Sequence, residues 1–214
     1  ALALNIGPGD GVIIPSVSFV ATANCIKYVG GKVIFSDVDP LNGLMSPDNL
    51  INAIKFAKKN KIKLKAIILV HLNGQTQFSE KIWKIAKKNN LFIIEDACHA
   101  LGTKYKIKDK KLNVGQCKHS HMAVFSFHPV KTIAMGEGGA VVTRNRNLDN
   151  KLKSLINHGI VLNEKKFKNI EFAFDKNGKK NPWYYEMQQL GFNYRITDIQ
   201  CALGFSQLDK LNKF

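Results

Sequence analysis

Short apolar runs alternate along this chain with segments whose apolar residues recur every three or four positions. Val12-Ile13-Ile14-Pro15 follows a Gly-Asp turn and reads as a strand, and residues 19–28 can follow it as a helix. Gly30-Gly31 turns the chain into a second strand at 33–38. Ser46-Pro47 has the form of a helix cap with proline at the first helical position, and Leu50, Ile51, Ile54 and Ala57 supply the apolar face behind it. Residues 65–70 and 92–96 lack polar alternation, as strands covered on both faces do. Between them a helix is expected over 78–88, with Ile82, Ile85 and Ala86 inward. Two more strands are expected at 123–127 and 139–143, and two more helices at 148–158 and 197–211, the latter turning Ile199, Ala202, Leu203 and Leu208 to the core. Residues 104–112 read as a hairpin or surface turn, and 165–180 as a basic excursion. This rhythm predicts an α/β fold with a mostly parallel central sheet.

The ends change the picture of domain organisation. Residues 1–6 read as the tail of a helix stopped by Gly7-Pro8-Gly9, and the last helical pattern runs into the final residues. The 214 residues are therefore expected to be an excerpt of a longer chain. At 45% hydrophobic the sequence can bury a core, which excludes a wholly disordered chain. Lys and Arg total 32 against 16 acids, a net charge of +16 that on its own suggests an anionic partner. The lysine runs, however, fall at helix ends and in loops, where they favour the helix dipole. No arginine-rich helix, zinc finger or aromatic–basic interleaving accompanies them, so no nucleic-acid partner is expected. No apolar run reaches roughly 18 residues and no leader is recognisable, so no membrane and a cytoplasmic setting are expected. Cys25, Cys98, Cys117 and Cys201 form no CxxC pair, and His119 and His121 lack a third ligand, so no metal is expected.

Candidate chemistry gathers where strands end. Asp96 closes an otherwise buried strand, with Glu95 beside it, and the carboxyl ends of strands are where open α/β sheets place ligands. An acid there can pair with a protonated ring nitrogen, or simply cap a helix. Lys131 stands apart from the lysine runs, among apolar or small neighbours between Pro129 and the Gly136-Glu137-Gly138-Gly139 turn. A desolvated lysine can act as an amine nucleophile; a surface-loop lysine is the plainer reading. Ser126, five residues earlier, could bind a phosphate oxygen at the same strand end. Ser126, His128 and Asp96 also have the residue types of a hydrolase triad, but no GxSxG elbow surrounds the serine.

Five segments in order, PSVSFVATAN at 15–24, EDACHALG at 95–102, FSFHPVK at 125–131, GEGG at 136–139 and GFNYR at 191–195, together resemble the pyridoxal-phosphate-dependent nucleotide-sugar aminotransferases of the DegT/DnrJ/EryC1/StrS class. The resemblance spans nearly the whole chain. It implies fold type I of the pyridoxal 5′-phosphate (PLP) enzymes, with Lys131 as the lysine that holds the cofactor covalently and Asp96 as the acid on its pyridine nitrogen. It further implies that Phe19 stacks on the ring, Ser126 binds the phosphate and His99 lies beside the cofactor. Asn193 would reach the phosphate in the neighbouring subunit of a homodimer. His71, Asn73 and His128 would border the substrate. The implied reaction moves an amino group from L-glutamate to C4 of a UDP-linked 4-keto-6-deoxy-N-acetyl hexose, on the route to pseudaminic acid; the FSFHPVK string and residues 182–187 point that way. Alternatives are 3- or 4-aminotransferases of perosamine or legionaminic acid type, or a non-catalytic fragment of the same fold. The family's Gly-Thr/Ser-Ala phosphate loop would lie ahead of Ala1, and its smaller domain beyond Phe214. Residues 1–214 are thus expected to be an incomplete large PLP-binding domain, with 160–190 a loop excursion and the small C-terminal domain largely absent.

Overall fold

The computed structural model describes residues 1–76, 80–107 and 110–213. The chain forms two compact units, one of Ala1–Asn145 with Thr197–Phe214 and one of Arg146–Ile196.

The first unit runs β1 (Asp10–Pro15), α1 (Ala21–Lys27), β2 (Lys32–Ser36), α2 (Pro47–Lys59), β3 (Lys63–Val70), α3 (Glu80–Lys88), β4 (Phe92–Asp96), β5 (Lys104–Ile107), β6 (Lys110–Asn113), β7 (Met122–Ser126) and β8 (Gly139–Val142). Six strands pair in the order β2-β1-β3-β4-β7-β8. All neighbours are parallel except β8, which returns antiparallel along β7 with Ser126 opposite Gly139. The α/β class and mostly parallel sheet expected from the sequence are therefore present. The expected start of α3 at Phe78 lies outside the described residues, as does Lys108 in the expected hairpin, whose arms β5 and β6 pair antiparallel. Residues 1–6 hold a short 3-10 turn, Leu2–Leu4, rather than the end of an α-helix.

The core follows from alternation along the strands. Ile13, Ile34, Ile67, Leu69 and Ile93 pack with Leu50, Ala53, Ile54 and Ala57 of α2 and Ile82 and Ala86 of α3. Their strand neighbours Val12, Ile14, Ile68 and Ile94 are also buried, so both faces of the sheet are covered. Helix α2 starts in a capping box: Ser46 Oγ accepts from the Asn49 amide and Asn49 Oδ1 accepts from the Ser46 amide.

The last helix of this unit, residues Asp198–Leu208, corrects the sequence reading. Ile199, Ala202, Leu203 and Leu208 are exposed, and its one buried residue is Gly204, which lies against Met135. Apolar residues occur all round this helix, so periodicity could not choose a face, and a side chain at position 204 would hold the helix off Met135.

The second unit holds a helix at Arg146–Leu155, a short one at Ile170–Ala173, and the strands Ile160–Val161 and Glu186–Met187, paired antiparallel, and one acid ties the turn at residues 168–169 to the second strand. The Glu186 carboxylate accepts from the amides of Lys168 and Asn169, from Tyr184 Oη and from Gln188 Nε2. Desolvation pushes this carboxyl up, but the four donors outweigh it and hold it at about 2. Asn193 bridges Asn157 in the same unit.

Candidate active site

The chain passes from β1 to β2 on one side and then from β2 across to β3 on the other side of β1, so strand order reverses between β1 and β3. A crevice outside the carboxyl ends of the strands is expected at such a reversal. A cleft of about 400 Å³ lies there. The segment after β1 contributes Phe19 and Ala21, the end of β3 Val70 and His71, and the end of β4 Asp96 followed by Cys98 and His99. The end of β7 contributes Ser126, and the loop beyond it His128, Val130, Lys131 and Glu137.

Seven of the residues singled out in the sequence thus line one cleft: Phe19, His71, Asp96, His99, Ser126, His128 and Lys131. Asn73 is held just outside it, its amide donating to His99 Nδ1 at 3.3 Å, with a left-handed backbone (φ 51°) that asparagine tolerates. Asn193 lies in the second unit.

Asp96 is fixed from three sides. Oδ2 accepts from Thr22 Oγ1 at 3.0 Å, Oδ1 accepts from the Cys98 amide at 3.2 Å, and its backbone carbonyl accepts from the His71 amide at 3.0 Å. Burial, then the Asp96 charge, push the neighbouring Cys98 thiol up to about 12. The Lys131 ammonium pulls that thiol the other way, so the lysine is within electrostatic reach of the acid's immediate surroundings. Phe19 is 75% exposed and lines the cleft.

The Lys131 loop is tied at its base. Phe127 N–H donates to Gly138 O at 2.9 Å and Met135 N–H to Phe127 O at 3.0 Å, while Lys131 N–H closes a turn onto His128 O. Gln200 Nε2 of the last helix donates to Glu137 O at 2.7 Å, and His128 Nε2 stands 3.8 Å from Glu137 Oε1.

Behind the cleft lies a buried polar group. Glu95 is 3% exposed and His71 fully buried; His71 Nε2 donates to Glu95 Oε2 at 3.0 Å and Ser120 Oγ donates to Glu95 Oε1. Burial raises the Glu95 pKa, but the His71 and Ser120 hydrogen bonds carry it below its ordinary value. Sequence reasoning did not single out Thr22, Ser120 or a role for Glu95. Their partners are 24 to 74 residues away, so no local pattern marks them.

An amine, an acid anchored by two donors, an exposed aromatic ring and a hydroxyl at one strand end match what PLP requires: a carbonyl partner, a pyridinium partner, a stacking face and a phosphate donor. Among the described residues no cluster of three His, Cys, Asp or Glu could hold a metal ion, and no helix is long and apolar enough to cross a membrane.

The model of the DegT/DnrJ/EryC1/StrS aminotransferase family matches residues 1–214. The UDP-4-amino-4,6-dideoxy-N-acetyl-β-L-altrosamine transaminase of Campylobacter jejuni is 38% identical over 204 residues, 94% of this chain and 46% of that protein. The GDP-perosamine synthase of Caulobacter vibrioides is 35% identical over 212 residues, 99% of this chain and 49% of that one. Among solved structures, a DegT DnrJ EryC1 StrS aminotransferase from Brucella abortus superposes with a TM-score of 0.81 at 31% identity, covering 99% of this chain and 50% of that one. The chain spans about half the length of the curated relatives it matches.

Proposed function

The chain belongs to the DegT/DnrJ/EryC1/StrS aminotransferase family, and we propose that it forms the cofactor-holding part of a PLP-dependent enzyme that transfers an amino group from L-glutamate to the keto carbon of a nucleotide-linked sugar. Its architecture is that of the fold-type-I PLP enzymes, with a mostly parallel central sheet. The observation that carries the reading is the convergence of Lys131, Asp96 and Phe19 on one cleft at the carboxyl ends of β1, β4 and β7.

Bound PLP supplies a carbonyl that captures amines and a ring that stores an electron pair. On this reading Lys131 Nζ would hold the cofactor covalently and, when released, would be the free amine beside it. The freed amine then takes the proton from the α-carbon of glutamate, and in the reverse direction returns a proton to the sugar carbon that receives nitrogen. Asp96 keeps a proton on the ring nitrogen. Phe19 covers one ring face, Ser126 donates to the phosphate, and His99 borders the cofactor. His128 borders the sugar, whereas His71 is fully buried with its Nε2 on Glu95 and Asn73 lies just outside the cleft, so these two act only from behind it. In a homodimer Asn193 serves the phosphate of the partner's cofactor.

The sugar is the finer question. Relatives named for a UDP-linked altrosamine and for GDP-perosamine differ by only three points of identity to this chain. The deciding experiment supplies the protein with PLP and L-glutamate and offers two acceptors separately: the UDP-linked 4-keto-6-deoxy-N-acetyl hexose of the pseudaminic acid route and the keto precursor of GDP-perosamine. Mass spectrometry of the amino-sugar products reads the choice; the UDP-linked acceptor is expected to be used. Exclusive use of the GDP-linked one moves the protein to the perosamine type. PLP uptake without turnover of either acceptor counts against the transferase reading, and no PLP uptake at all refutes it.

A further inference from the structure

We infer that Thr22 is a positioning residue of this site: its hydroxyl ties the turn that carries Phe19 to the carboxylate of Asp96, and Ser18 donates to the Thr22 oxygen behind that bond. The inference rests on the proposed PLP site and adds a residue to it.

A threonine in the first turns of a helix ordinarily satisfies its hydroxyl on a carbonyl one turn back. Thr22 does not. It is 5% exposed, and its Oγ1 lies 3.0 Å from Asp96 Oδ2, across 74 residues of sequence, and 2.7 Å from Ser18 Oγ. A carboxylate only accepts, so the single Thr22 proton goes to Asp96. The Thr22 oxygen is then left to accept, so the Ser18 hydroxyl donates to it. The relay therefore runs one way, from Ser18 through Thr22 to Asp96.

Two consequences follow for the geometry of the cleft. A carboxylate rotates readily about its last bond, whose torsional wells are broad. A second donor, the Cys98 amide, holds the other oxygen of Asp96. With one donor on each oxygen the carboxylate plane is set, and lone pairs remain for a group in the cleft. The second consequence concerns Phe19. The Thr22 amide donates to the Phe19 carbonyl at 3.1 Å, so the residue that grips the acid also closes the turn presenting the aromatic ring. One side chain thus sets the separation between the group expected at the edge of a planar ligand and the group expected over its face.

The test measures PLP binding to the purified protein by titration, with visible circular dichroism of the bound cofactor as a readout of its orientation. Thr22→Val keeps the shape and removes the hydroxyl; Thr22→Ser keeps the hydroxyl. Loss of a hydrogen bond to a charged group predicts roughly 10- to 100-fold weaker binding in Thr22→Val, with a reduced dichroic band per bound cofactor. Thr22→Ser should stay within about threefold of wild type, and Ser18→Ala, which removes a neutral bond one step away, should lose about fivefold. A Thr22→Val protein that binds PLP as wild type does, with the same band, overturns the inference, and so does a Thr22→Ser protein as impaired as Thr22→Val. Both of those results leave the proposed function standing, whereas wild-type protein that takes up no PLP overturns the two together.

Discussion

Glu95 offers a sharp test of how this sheet is held together beneath its cleft. Its carboxylate is buried and accepts from His71 Nε2 and Ser120 Oγ, while its neighbour Asp96 points into the cleft. Glu95→Ala removes the acceptor of two buried donors and opens a void, and each buried donor left unsatisfied costs about 1–3 kcal/mol. Glu95→Gln is milder. Its amide oxygen can still accept from His71 and its NH₂ can donate to the Ser120 oxygen, so it loses mainly the charge, roughly 1–2 kcal/mol. The pH dependence separates charge from shape. The folded-state pKa of Glu95 lies below its ordinary value of 4.5. Its contribution to stability is therefore fully present above that value and is lost as pH falls through the lower folded-state value. Urea unfolding of wild type and Glu95→Gln at neutral and acid pH measures the gap directly, with an unchanged denaturant slope as the check that the two-state comparison holds. The gap should be widest at neutral pH and should close on acidification, because the other carboxylates titrate alike in both proteins. A gap of constant size across that range would falsify the charge argument and leave only the loss of shape.

Other outcomes can be stated more briefly. Lys131→Ala should abolish the visible absorbance of bound PLP and cut turnover by at least about 10²-fold; in wild type, borohydride reduction should leave the cofactor mass on the peptide containing Lys131. Gly159→Ala places a methyl 1.7 Å from the Gln189 carbonyl at a backbone φ of +73°, which should cost at least about 2 kcal/mol. Faster hydrogen exchange in peptides from residues 146–196 reads this effect. With its thiol pushed up to about 12, Cys98 should resist iodoacetamide at mildly alkaline pH while the exposed Cys201 reacts, and mass mapping of the alkylated protein decides.

What the sequence disclosed and what it hid have different physical origins. Strands β1, β3 and β4 were legible because a strand covered on both faces is an unbroken apolar run, and α2 because Ser46-Pro47 signals its own cap. The motifs at strand ends gave Asp96, Ser126 and Lys131 as candidates from local context, and the fold brings all three to one cleft. Thr22 was hidden within a motif as one polar residue among small ones, because the acid it grips belongs to β4. Ser120, and the bond by which His71 serves Glu95, were hidden for the same reason: a buried carboxylate finds its donors beside other strands. The last helix misled because Ile199, Leu203 and Leu208 form a face that solvent, not the core of this unit, meets, while the packing residue is a glycine that no hydrophobic pattern contains.

The antiparallel return of β8 along β7 bears on how such a site can diversify. The loop carrying Lys131 begins and ends at a ladder rung, Ser126 opposite Gly139, so the sheet has already brought its ends together. The entropy of closing a loop rises slowly with length, by about 0.6 kcal/mol per doubling. Exposed positions of this loop, such as Val130 and Thr132, can therefore be exchanged or extended at small cost to the fold, whereas Ile133 and Met135 are buried and Lys131 lines the cleft. The anchor itself has no such freedom, since a side chain at Gly139 would meet the Phe125 carbonyl at 2.8 Å. The architecture thus separates a fixed hinge from an exchangeable rim, and the rim can change without rebuilding the sheet.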